Sequence, residues 1–178
     1  NGYKPIILER GGSVKERISE IEMFRRIRVL NTNTNIQFGA GGAGTFSDGK
    51  LVTGINDPFS NYVLEKFVEF GAPEEILYLA KPHIGTDILR EVVERAAARI
   101  EECGGEIRYN TRLTDLVGLR AETTDGAIDF GAIVLALGHS ARDTYKMLYE
   151  YGVKIIQKPF AIGACIDHPQ TLINKSLY

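Results

Sequence analysis

The chain is 178 residues long, with 21 Lys+Arg against 23 Asp+Glu and a formal net charge of -2. That length suits one domain, or one and part of another, and the balanced charge excludes a broad basic field for nucleic acid. Hydrophobic residues make up 44% of it, yet no apolar run nears the ~20 residues of a membrane span. Cys103 and Cys165 form neither a CxxC pair nor a zinc spacing, so a reducing, cytoplasmic setting without disulfides is expected.

The first signal is Ile6-Ile7-Leu8, a short continuous apolar run. Such a run predicts a parallel strand buried on both faces. It ends at Glu9. In dinucleotide-binding folds an acid at this point binds ribose hydroxyls, about 20 residues after a Gly-x-Gly-x-x-Gly turn. Only eight residues precede Glu9 and the first is not Met, so this reads as a fragment or a trimmed chain. A plain surface Glu at a strand end stays open as the alternative. Ile18, Ile21, Phe24 and Val29, spaced near three among charges, predict an amphipathic helix over 14–29. Arg25, Arg26 and Arg28 are expected on its solvated face.

Residues 32–35 are polar and turn-rich, and five glycines then fall between Gly39 and Gly49. Glycines allow close backbone approach, so consecutive N–H groups could cradle an anion such as a pyrophosphate; a tightly turned connector is the alternative. Lys50 follows Gly49 but at the wrong spacing for a Walker loop. Ser60 is expected to cap a helix over 61–70, and Gly71 with Pro73 to end it. A short helix should follow from Pro73 to Ala80. Thr86 and Asp87 open the strongest helix, carried by Leu89, Val92, Val93, Ala96 and Ile100 and stopped by Gly104.

Residues 106–110 alternate as a strand does, and 113–121 read as a strand or strand pair. Asp125-Gly126 marks a tight turn between extended segments. Ala132–Leu137 predicts a second fully apolar strand, closed by Gly138. Ser140 and Asp143 fit a capping box opening a helix that runs to about Tyr151, where Gly152 stops it. Residues 153–166 read as extended. Two apolar strands joined through helices argue for an α/β fold: a parallel sheet with helix cover and a small antiparallel ribbon.

Few residues carry chemistry by themselves. A strand running into Gly138 and a capped helix could set a ligand at the sheet edge, or be an ordinary turn. His83, His139 and His168 stand alone without metal spacing. Ser47 and Ser140 lie in no Gly-x-Ser-x-Gly elbow. Cys103 is expected to be a small core or capping-region residue, and Cys165 to be buried.

Several stretches together resemble a known family. They are Glu9-Arg10-Gly11, the run from Asn35 to Leu51, Lys81-Pro82-His83-Ile84-Gly85-Thr86-Asp87, the run from Leu137 to Thr144, and Asp167-His168-Pro169-Gln170. The chain is similar over essentially its whole length to the uncharacterised NAD(FAD)-utilising dehydrogenases, which resemble flavoproteins with a glutathione-reductase-like FAD domain. The long Gly-rich motif is the specific part; Glu-Arg-Gly is generic to FAD proteins. The resemblance implies a Rossmann-like FAD-binding domain over 1–152, with a helical insertion around 53–85, and the start of a substrate or interface domain over 153–178. It places Glu9 at the FAD ribose and counts Arg10 among the cofactor-binding residues. Gly41, Gly42, Ala43, Gly44, Thr45 and Ser47 fall at the pyrophosphate and flavin, the Leu113 backbone at the adenine, and Gly138 at a second FAD contact.

The sequence also departs from that family's pattern. It has Ala136-Leu137-Gly138 for the usual Ala-Thr-Gly, and Cys165 and Asp167 where Arg and Glu are usual. His139 and Arg142 belong to the motif without a known role, and no side chain is assigned as acid or base, His83 and His139 being no more than candidates. The implied activity is an FAD-dependent dehydrogenase exchanging hydride with a small-molecule substrate, NAD or NADP being possible partners. This chain alone would be inactive and bind FAD poorly. A non-catalytic flavin-fold scaffold and an FAD-dependent nucleic-acid-modifying enzyme are the alternatives, the latter disfavoured by charge. No membrane partner is expected. A homodimer is, because an unpaired sheet edge invites association.

Overall fold

A computed structural model describes residues 2–46, 49–51, 57–79, 82–160, 162–164 and 166–177. The architecture is α/β. Strand β1 (Ile6–Leu8) pairs in parallel with β2 (Glu106–Arg108), placing Ile7 beside Ile107. Helices α1 (Val14–Ile27), α2 (Pro58–Glu69) and α3 (Thr86–Glu102) lie between them in sequence. A separate antiparallel sheet runs β3 (Leu113–Val117), β4 (Arg120–Thr123), β5 (Gly126–Asp129) in that order. Helices α4 (Arg142–Glu150) and α5 (Gln170–Leu177) follow.

Local chemistry explains most of the boundaries. Helix α1 opens on a capping box: the Ser13 N–H donates to Glu16 Oε2 at 2.7 Å, and the Glu16 N–H donates to Ser13 Oγ. These bonds satisfy donors that a helix start otherwise leaves orphaned. The helix ends when Arg28 turns left-handed at φ 59°, short of the expected Val29. Arg25, Arg26 and Arg28 are exposed, as expected. Helix α2 starts earlier than Ser60 predicts. The Asp57 carboxylate accepts from the Phe59 N–H at 2.8 Å and Pro58 takes the first helical position, where its missing N–H costs nothing. The short helix expected after Pro73 is a single 3-10 turn, Glu74–Leu77.

Helix α3 matches its periodicity. Leu89 and Val92 are buried and join Ala72, Ile76 and Ile84 in the apolar core. Leu64, Phe67 and Val68 of α2 pack against that cluster. Gly104 follows the helix with φ 83°. Cys103 is the C-cap residue of α3 and is exposed, the capping-region alternative rather than the core one. The Asp125-Gly126 turn joins β4 to β5 as expected, with Gly126 opposite Thr123 in the ladder.

Two strand expectations fail, and a third is met only in part. Ala132–Leu137 forms no strand, and Val134 is 88% exposed. A strand is a pairing rather than a composition, and none of the described residues supplies this run with a ladder. The described residues of 153–166 likewise form no strand. Strand β1 does form, but Ile6 and Ile7 are 42% and 38% exposed, so the expected burial on both faces is not met. The Ser140–Asp143 capping box is also absent. Ala141 sits at the cap of α4 with no side-chain bond, Ser140 Oγ donates to Gln37 Oε1 at 3.1 Å, and Asp143 turns to two arginines. No helix among the described residues is long and apolar enough to cross a membrane.

Candidate functional site

The C-terminal end of β1 gathers the residues singled out in the sequence. The Glu9 carboxylate folds back on the chain: its Oε1 accepts from the Gly11 N–H at 2.9 Å and the Gly39 N–H at 3.0 Å. Its other oxygen accepts from none of the described residues. The Glu9 carbonyl takes the Thr111 N–H and the Gly11 carbonyl takes the Asn110 N–H, each at 2.9 Å. That stitching brings the segment before β3, and so Leu113, to the same corner. Leu113 is half-buried in the ladder opposite Thr123.

The glycine loop is organised from inside by a residue that sequence reasoning missed. Arg17 is fully buried. Its guanidinium donates to five backbone carbonyls: Asn35 at 3.1 Å, Ile36 at 2.9 Å, Gly39 at 3.3 Å, Ala40 at 2.5 Å and Gly42 at 2.9 Å. Burial pushes its pKa down to about 10, against the attraction of Glu9, which pulls it up. It stays cationic at neutral pH. A usable signal existed, because Arg17 shares a helix face with the buried Val14 and Ile21 at offsets of three and seven. It stands where an apolar residue is expected. A Cβ on Gly39 would run into the Cδ and Cγ of Arg17, so this glycine is required by the arginine stem.

The far end of the loop is cationic as well. The guanidinium carbons of Arg17 and Arg90 both lie over the Phe46 ring, 4.4 and 4.6 Å from its centroid. Thr45 Oγ1 and Arg90 Nε are buried beside it without a hydrogen-bond partner among the described residues. Behind the loop lies a cavity of about 260 Å³ lined by Ile21, Phe24, Leu30, Ile36 and Phe38. Asn31 and Asn35 hold its wall. Their side-chain oxygens accept from the N–H groups of Asn33 and Thr34, and of Gln37 and Phe38, respectively.

Arg10 closes the third side. It donates to both oxygens of Asp143 at 2.7 and 2.8 Å and lies 4.4 Å from the centroid of the Phe38 ring. Arg112 reaches the same carboxylate at 3.2 Å. Burial raises the Asp143 carboxyl, but the Arg10 hydrogen bond, the Thr144 N–H and the charges of both arginines outweigh it and hold the pKa below its ordinary value. Gly138, exposed at φ 68°, gives its carbonyl to Tyr145 Oη at 2.8 Å. The Ser140–Gln37 bond ties that turn to the loop.

The corner therefore brings Glu9, Arg10 and the Gly41–Thr45 segment together, with Leu113 and Gly138 joined to it through neighbouring residues. Ser47 and Cys165 lie outside the described residues. His139 is exposed in the turn after Gly138. His83 stands apart, bridged to Lys50 beside α3.

No family model matches the chain. It is 46% identical over 182 residues to an uncharacterized protein of Clostridium beijerinckii, an alignment covering 99% of this chain and 34% of that protein. The chain thus spans about a third of the length of the curated relative it matches.

Proposed function

We propose that the chain is the cofactor-holding part of an FAD-dependent oxidoreductase. The observation that carries this reading is the corner itself. A strand-end carboxylate, Glu9, hydrogen-bonds the base of a glycine loop whose Gly42 and Gly44 have open space where a side chain would sit. An acid with one oxygen uncommitted among the described residues, beside approachable backbone, is what a dinucleotide's ribose and pyrophosphate require. On this reading Glu9 holds the ribose hydroxyls and the amides of Gly41–Ala43 face the pyrophosphate. The Leu113 backbone borders the adenine, while Gly138 and Ser47, the latter outside the described residues, complete the contact. Gly138 closes a turn rather than a strand, so its contact is the weakest part of the fit. FAD, when bound, supplies the hydride chemistry, with NADH or NADPH as the reductant. No side chain is assigned as acid or base.

The test is the absorption of this chain beside that of the longer Clostridium beijerinckii relative, each incubated with FAD and gel-filtered. A retained flavin band that NADH or NADPH bleaches supports the reading. Retained flavin that neither reduces points to a flavin-fold binding module. No flavin in either protein ends the proposal.

A further inference from the structure

The five carbonyls on Arg17 decide which way the loop's amides face. A trans, planar peptide points its carbonyl and the next residue's N–H in opposite directions. With the Ala40 and Gly42 carbonyls drawn inward to the guanidinium, the N–H groups of Gly41 and Ala43 must face outward. Both residues are exposed, and neither N–H meets a partner among the described residues. The neighbouring amides are already used: Ala40 N–H donates to the Gly12 carbonyl and Gly42 N–H to the Gly39 carbonyl, each at 2.9 Å. Gly41 and Gly42 have φ of 80° and 67°, a left-handed pair that lets the peptide planes be turned this way at little strain.

We infer that Arg17 is the positioning residue of a phosphate-facing loop: it turns the loop's carbonyls inward and so presents the Gly41 and Ala43 amides to an anionic diphosphate. This rests on the FAD reading for the identity of the ligand, but the orientation of the amides stands on the geometry of the loop alone. The buried guanidinium adds a positive charge behind those amides without touching the ligand. Gly39 belongs to the same device, since any side chain there displaces the arginine stem.

The test titrates isotope-labelled full chain with inorganic pyrophosphate, then with ADP, following each backbone amide by NMR. The Gly41 and Ala43 resonances should shift most. Arg17→Met should weaken pyrophosphate about tenfold or more, Arg17→Lys should recover part of that loss, and Arg25→Met on the exposed face of α1 should change nothing. Amide exchange should quicken from Gly39 to Ala43 in Arg17→Met and stay slow at Val92 in the apolar core. If Arg17→Met does not fold, Gly39→Ala takes its place, keeping the charge while displacing the stem, with the same losses expected. Unchanged pyrophosphate affinity and loop exchange in a folded variant would assign Arg17 to stability alone and overturn the inference. So would a wild-type chain whose Gly41 and Ala43 amides ignore pyrophosphate, whatever FAD does. Pyrophosphate seen at those amides by a protein that never retains FAD would overturn the flavin reading and leave this one standing.

Discussion

The molecule has two centres of cohesion built on opposite principles. Under α3, the side chains of Ala72, Ile76, Ile84, Leu89 and Val92 exclude water, and no direction is imposed on any of them. Beside α1, one guanidinium holds five carbonyls of a segment that forms no strand. The apolar centre is tolerant, since a core accepts another hydrophobe of about the same volume. The polar centre is intolerant, since a planar fork cannot be replaced by a point charge of the same sign. The loop that the candidate site needs is thus held in one geometry, while the helices behind it need only stay packed.

The sharpest way to break this contrast is Arg17→Met. It strands several carbonyls at once, and the expected loss is about 4 kcal/mol in chemical denaturation, with the cost of unmet acceptors at ~1 kcal/mol or more apiece. Ile76→Ala should follow at about 3 kcal/mol, the transfer and cavity cost of a buried Ile. The conservative pair then sharpens the comparison: Ile76→Val should cost about 1 kcal/mol, and Arg17→Lys clearly more. A result in which Lys is the milder change would collapse the distinction between the two centres. Ser13→Ala removes one half of the capping box and should cost about 1 kcal/mol, measured as a lowered midpoint with unchanged slope.

The smallest effect belongs to Asp143, whose carboxyl is held low in the folded state. As pH falls, the unfolded chain takes up this proton first, near ~3.9. The contribution is therefore complete above that value and is lost as pH drops through the lower folded pKa. With the side chain 45% exposed, solvent screening keeps the contribution to a fraction of a kcal/mol. Asp143→Asn should cost that fraction at neutral pH and nothing below the folded pKa, so that the acid limb of a stability–pH curve is flattened. A loss larger in acid than at neutral pH would contradict the sign.

What the sequence reveals here is what is local. The α3 stripe, the Asp125-Gly126 turn and the β1 run are legible because neighbours a few residues apart decide them. Where two residues could cap one helix, as with Asp57 and Ser60, spacing alone does not choose, and the proline at position 58 tips the balance. The Ala132–Leu137 run misleads because its outcome depends on a partner strand that its own residues cannot specify. Asp143 misleads in the same way, its carboxylate taken by Arg10 from 133 residues away. Within the candidate site, Glu9 and the glycines are readable as types. The hub that joins them is marked only by its place on the apolar face of α1, and an arginine inside a charged helix looks solvated until the loop that covers it is known.

The contact between Gly39 and the arginine stem has a consequence for how such sequences can drift. Neither position can change by itself without harm. A side chain at 39 evicts the arginine, and a shorter residue at 17 leaves the loop carbonyls unclaimed while the glycine still carries its conformational freedom into the unfolded state. The two letters, 22 places apart, are inherited as one, so divergent descendants should keep both or exchange both.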